Sequence, residues 1–208
     1  MEQTYRSHIF DHLGLVAGMV DELGMGDVID QATQQHPDMR DLTGGETVNA
    51  MVLNGLGCIN QARYLVPRCF QHKPTSRLMA PRVAPEQLND EALGRALDTL
   101  SDYGVTALYR RMAATAATRL GWAPTFAHLN STSFHVDGRY NSKVEPDAEV
   151  IHITRGYSRD HRPDLNLVML ELMVEHQAGI PVLMPPLNSN SRDAHEFGQM
   201  VKDPPMAQ

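Results

Sequence analysis

An α+β fold is predicted, with a helical N-terminal domain over residues 1–120 and a sheet domain over residues 121–208. Three observations predict it. Apolar residues recur at helical spacing through the first 120 positions, and from Thr125 onward they alternate with period two. The composition, 42% hydrophobic and 21% charged over 208 residues, is that of an ordinary globular chain.

In "HLGLVAGMVDELG", Leu13, Val16, Val20 and Leu23 fall on one helical face, and Gly24 supplies a stop. "GDVIDQATQQH" predicts a second short helix, closed by Pro37. "TGGETVNAMVLNGLG" opens with Thr43 and Glu46 three apart, the spacing of a capping box in which each side chain satisfies the other's backbone amide. Met51, Val52 and Leu56 are expected to face the core of this helix, with Gly55 and Gly57 permitting close packing or ending it. A Pro- and Arg-rich connector, "PRCFQHKPTSRLMAPRVAP", follows. "NDEALGRALDTLSDYG" has Asn89 as cap, Asp90 and Glu91 at the positive end of the dipole, and Leu93, Leu97 and Leu100 along one side. "VTALYRRMAATAATRLG" is a further helix with Leu108, Met112 and Leu120 inward and Arg110, Arg111 and Arg119 outward.

Beyond "GWAPTF" the pattern becomes strand-like. "TFAHLNSTSFHV" is the first strand, "AEVIHITRGYS" a second extended piece, and "LNLVMLELMVEH" an apolar run long enough for a central strand, although its Leu and Met would also suit a helix. "AGIP" makes a turn, "PVLMPPL" starts another strand, and "SRDAHEFGQMVKD" is a short helix.

No apolar run approaches the ~18 residues of a membrane span, and "MEQTYRSHIFDHLG" lacks the character of a signal peptide. A cytoplasmic protein with no membrane partner is expected. Cys58 and Cys69 are too few for a disulfide framework and too far apart for a CxxC site, so both are expected to be reduced and buried. The net charge of −7 argues against a generic nucleic-acid coat. Residues 61–120, however, hold 9 basic and 5 acidic side chains, the one third with a basic surplus. A solvated helical face explains such a surplus as well as a nucleic-acid contact does.

The segment "HLNSTSFHVDG" places small polar residues where a buried strand would carry Val or Ile. Together with "VIHITRGYSRDHRPDLNLVMLELMVEHQAGIPVLM" and "PLNSNSRD", it resembles the start of the catalytic domain of DDE-type insertion-sequence transposases. "TGGETVNAMVLNGLG" and "LNDEALGRALDTL" resemble the helical domain that precedes it, so the likeness runs over nearly all of residues 10–200.

That resemblance implies a ribonuclease H-like fold in which two Asp and one Glu hold two Mg²⁺ ions for phosphodiester cleavage and strand transfer. The first Asp of the family falls at Asn130, with Ser131, Thr132 and Ser133 leaving room for metal and water. An amide is a neutral ligand with one carbonyl oxygen, so a lapsed catalytic position that binds Mg²⁺ weakly or not at all is expected there. The second Asp and the Glu of the family are expected to lie beyond the point where this chain ends, which makes the sheet domain a truncated one.

The expected function is therefore that of a transposase fragment, catalytically inactive by itself. Its partners would be DNA at insertion-sequence ends, a second copy, or full-length transposase. The alternative is a non-catalytic regulator that binds DNA or transposase. Arg110, Arg111, Arg159 and Arg162 are the candidate DNA contacts, although for Arg159 and Arg162 an ordinary loop ion pair fits equally. Asp137 reads as a hairpin-turn residue. His135 alternates opposite to Asn130, and nothing in the spacing brings it together with Asp137 and Asp193 as a separate metal-dependent hydrolase.

Overall fold

The computed structural model describes residues 7, 9–33, 42–57, 65–123, 126–138, 140, 151–156 and 161–189. Among these residues seven helices precede an open antiparallel sheet of five strands, so the chain is an α+β protein. Two compact units divide it. One comprises Met1–Gly104 with Thr118–Leu120, and the other Val105–Ala117 with Gly121–Gln208.

In the helical unit, α1 (Leu13–Leu23) ends at Gly24, whose φ of 65° is left-handed and suits glycine. α2 (Met25–Ala32) and α1 both pack on α3 (Gly44–Gly57). The predicted capping box starts α3: Thr43 N–H donates to Glu46 Oε2 at 2.8 Å, and Glu46 N–H donates to Thr43 Oγ1 at 3.1 Å. The face that α3 buries differs from the one expected. Thr47, Asn49, Ala50 and Leu53 are buried, while Val52 and Leu56 are 41% and 47% exposed. Met51 packs partly buried against the core as expected, but apart from Leu53 the helix turns mainly small side chains inward. Gly45 shows why: a Cβ there would stand 2.5 Å from the carbonyl oxygen of Gly26, so α2 and α3 approach backbone to backbone. Gly57 has the packing role foreseen for it, against Leu13, while Gly55 faces open space.

The Pro- and Arg-rich connector folds as α4 (Val66–Phe70), a tight turn, α5 (Thr75–Leu78) and a 3₁₀ turn at Pro85–Gln87. Its apolar residues Val66, Phe70, Leu78, Val83 and Leu88 join Leu13, Leu53 and Leu93 in one core. Thr75 Oγ1 donates to the Val83 carbonyl at 2.7 Å, closing that loop. Cys69 is half-buried against this core and disulfide-bonded, not reduced as the sequence led us to expect. Count and spacing carry no information about which thiols a fold brings together; Cys58 lies outside the described residues. α6 (Asp90–Tyr103) carries its predicted cap, with Ala92 N–H donating to Asn89 Oδ1 at 2.9 Å. It buries Leu93 and Ala96, and Leu97 is left 39% exposed.

α7 (Val105–Arg119) buries Leu108, Ala116 and Ala117, but Leu120, expected inward, is 46% exposed. Most of this helix belongs to the sheet unit, where the Tyr109 hydroxyl donates to the Pro181 carbonyl at 3.1 Å. Its last turn belongs to the helical unit. There Arg119 donates through Nη1 to the Glu22 carbonyl at 2.9 Å, at the negative end of α1.

β1 (Ala127–Val136) pairs antiparallel with β3 (Asn166–Glu175) over ten residues. β3 is the central strand, as its apolar run predicted. Its other edge is tiled by β2 (Thr154–Arg155), β5 (Pro186–Leu187) and β4 (Pro181–Leu183). Such short partners leave an open sheet with no closure among the described residues. The Asp137–Gly138 pair lies at the end of β1, which among the described residues pairs with β3. The predicted helix over 191–203 lies outside the described residues.

Candidate functional site

Cross-strand partners in an antiparallel pair point to the same face, so the register fixes what surrounds Asn130. It stands opposite Leu172, with His128 opposite Val174, Thr132 opposite Leu170 and Phe134 opposite Val168. On this face Asn130, His128 and Thr132 are exposed and Phe134 is 50% exposed. Val168, Leu170, Leu172 and Val174 are half-buried. None of these ten-residue strands places an acid on this face.

The opposite face is the covered one. It holds Leu129, Ser131, Ser133 and His135 from β1, and Leu167, Met169, Glu171, Met173 and Glu175 from β3. Ser131 and Ser133 therefore do not clear space around Asn130. Ser131 is 6% exposed and pairs in register with Glu171, which is 2% exposed. The small polar residue lies opposite a buried carboxylate, which gives the polar centre of β1 a packing reason that alternation alone hides. Glu171 was not singled out from the sequence; a Glu inside an apolar strand run was its signal.

Glu175 has a different task. Burial raises its pKa, but the N–H groups of Ala178 and Gln177 donate to its carboxylate at 2.6 and 2.8 Å and prevail. The net effect holds it below the usual glutamate range. It thereby caps the turn between β3 and β4, where Gly179 takes a φ of 67°.

The candidate DNA contacts fare unequally. Arg162 grips Asp164 with both arms of its guanidinium, Nε to Oδ1 at 2.9 Å and Nη2 to Oδ2 at 2.8 Å. This hydrogen-bonded pair holds the Asp164 carboxyl down at about 2. Arg162 thus forms the loop ion pair that was one of its two readings. Arg110 and Arg111 are exposed on α7. Arg159 and Asp193 lie outside the described residues. His135 is half-buried on the face opposite Asn130, and Asp137 is exposed at the end of β1.

Four of the nine basic side chains of residues 61–120 form ion pairs as follows. Lys73 pairs with Asp11 at 2.6 Å, Arg82 with Glu46 at 2.7 Å, Arg95 with Glu91, and Arg119 with Asp27 at 3.8 Å. Arg68 on α4, Arg77 on α5 and Arg110 on α7 are exposed and make no side-chain hydrogen bond or ion pair among the described residues. Arg68 and Arg77 flank the turn between two short helices. The sequence held a signal for them: residues 47–85 contain no Asp or Glu.

Fold and site define an α+β protein with an exposed polar strand centre and a helical unit carrying unpaired cations. Residues 5–114 match the family described as "Domain of unknown function (DUF4277)". The chain belongs to that family. No curated protein and no solved structure matches it. Among the described residues no helix is long and apolar enough to cross a membrane.

Proposed function

We propose that this chain is a DNA-binding, non-cutting relative of the DDE-type insertion-sequence transposases, working in the cytoplasm on the ends of such elements. The observation that carries the reading is the setting of Asn130. The position that the resembled family fills with its first Asp lies mid-strand, exposed, and flanked on its own face by Thr132, His128 and half-buried aliphatics without an acid. The residues of this face do not fit a pair of Mg²⁺ ions. Hard divalent ions of that kind need carboxylate oxygens, and a lone amide offers one neutral oxygen.

DNA binding rests on Arg68, Arg77 and Arg110, whose guanidinium groups are open to phosphate. The test is a gel shift with duplex carrying element ends, run beside a Mg²⁺-dependent cleavage assay. Binding that weakens with salt and prefers the ends, with no cleavage, is expected. Cleavage that disappears in Asn130→Ala would sink the non-cutting assignment, and equal weak binding to any duplex would sink the end-specific one.

A regulator that pairs with full-length transposase or with a second copy is the other reading. The apolar face around Phe134, Leu170 and Leu172 favours it. Sedimentation of the chain alone and mixed with transposase tests it, and no co-sedimentation would remove it.

A further inference from the structure

We infer that His128 and His176 form a surface site for a borderline transition-metal ion such as Zn²⁺, Ni²⁺ or Cu²⁺. His128 Nε2 lies 2.7 Å from His176 Nδ1, the ring centroids are 5.0 Å apart, and the rings are tilted by 58°. At that distance one imidazole donates its N–H to the lone pair of the other. A divalent ion can take the place of the shared proton, which passes to the other nitrogen of the donor ring, and accept a lone pair from each ring. Metal–nitrogen bonds of about 2.0–2.1 Å put two nitrogens on one ion about 2.9–3.4 Å apart, so the rings need to part by less than about 1 Å and turn until their lone pairs converge on the ion.

The backbone beneath them is fixed at both positions. His128 stands in the ten-residue β1–β3 ladder, opposite Val174. His176 extends that ladder by donating its N–H to the Phe126 carbonyl at 3.0 Å. The turn that follows is held by the Glu175 carboxylate through Gln177 and Ala178. Both rings are exposed. Among the described residues no three His, Cys, Asp or Glu side chains are grouped to enclose an ion. Among the described residues two imidazoles supply the protein ligands, and water completes the shell, leaving the ion open to exchange. Imidazole selects Zn²⁺, Ni²⁺ and Cu²⁺ over Mg²⁺, so this site is distinct in chemistry from the oxygen-ligand site that the transposase resemblance implies. It also shares the Asn130 face, two residues along β1.

The experiment uses the full chain. Zn²⁺ is titrated calorimetrically into the unaltered protein, His128→Gln, His176→Gln and Asn130→Ala. Each histidine variant is expected to weaken the strongest binding event at least tenfold, while Asn130→Ala leaves it unchanged. Histidine carbethoxylation of the unaltered chain, read by mass spectrometry with and without Zn²⁺, gives a measurement that needs no variant to fold. Selective protection of His128 and His176 is expected. Equal protection of other described histidines, no protection, or unchanged binding in both histidine variants would overturn the assignment.

Discussion

Single residues explain where the sequence could be read and where it could not. The Thr43–Glu46 box and the Asn89 cap were legible because capping depends on two residues at fixed spacing and on no tertiary partner. Gly45 was not legible, because its reason lies on another helix, at Gly26. Gly45→Ala is expected to destabilise the helical unit by roughly 1–3 kcal/mol, the range for forcing an atom into a filled site. Thermal unfolding checks it, and an unchanged midpoint would mean that α2 can move away at little cost. Glu175 gives a pH dependence whose sign follows from its partners. Its pKa is lowered in the fold, so its contribution is present above the ordinary glutamate value and is lost as pH falls through the folded value. Acid is therefore expected to loosen the β3–β4 turn, read as faster amide exchange at Gln177 and Ala178. Glu175→Gln should show the faster exchange at neutral pH and lose most of the acid response.

Among the elements, β1 and β3 show what period-two patterning can and cannot deliver. Alternation located both strands, and the apolar run marked β3 as central, because a strand paired on both edges is shielded along its length. Alternation also separated Asn130 from His135. It could not say which face is covered, since that depends on elements remote in sequence. Hence Ser131 and Ser133 were assigned to the wrong surroundings. The open face predicts a liability of its own. Phe134, half-exposed beside Leu170 and Val168, invites association between sheets. Phe134→Lys is expected to raise solubility and reduce concentration-dependent light scattering while moving the melting temperature little. A large drop in melting temperature would show instead that Phe134 packs against the rest of the sheet unit. The helices α4 and α5 were read as a mere connector because five- and four-residue helices carry too little periodicity. Their position between prolines was visible, and so was the absence of acids. Arg68→Ala or Arg77→Ala is expected to weaken DNA binding across sequences and to reduce the slope of log affinity against log salt by about 1 each. The same change in Arg162→Ala would point to the loop instead.

Among the described residues the two units have unequal cores, and this sets how the molecule should come apart. The helical unit buries Leu13, Leu53, Val66, Phe70, Leu78, Leu88 and Leu93 to 1% exposure or less. The sheet unit buries Leu167, Val182 and Leu183, but among them also Ser131, Glu171 and Glu175. Apolar burial is the main favourable term in folding, and buried carboxylates oppose it unless fully compensated. The sheet unit should therefore unfold first. The chain carries its own reporter, since the single tryptophan, Trp122, lies in that unit, where its backbone N–H donates to the Ala117 carbonyl at 2.9 Å. In urea, Trp122 fluorescence is expected to change at lower concentration than helical circular dichroism. Cys69 makes the separation testable a second way, because its disulfide belongs to the helical unit. A reductant should lower the helical transition and leave the Trp122 transition in place. Disulfides are rare in a reducing cytosol, so the reduced form is the one that matters for the cytoplasmic role proposed. If both probes move together, with and without reductant, the two units fold as one cooperative block, and the sheet owes its stability to more than its own core.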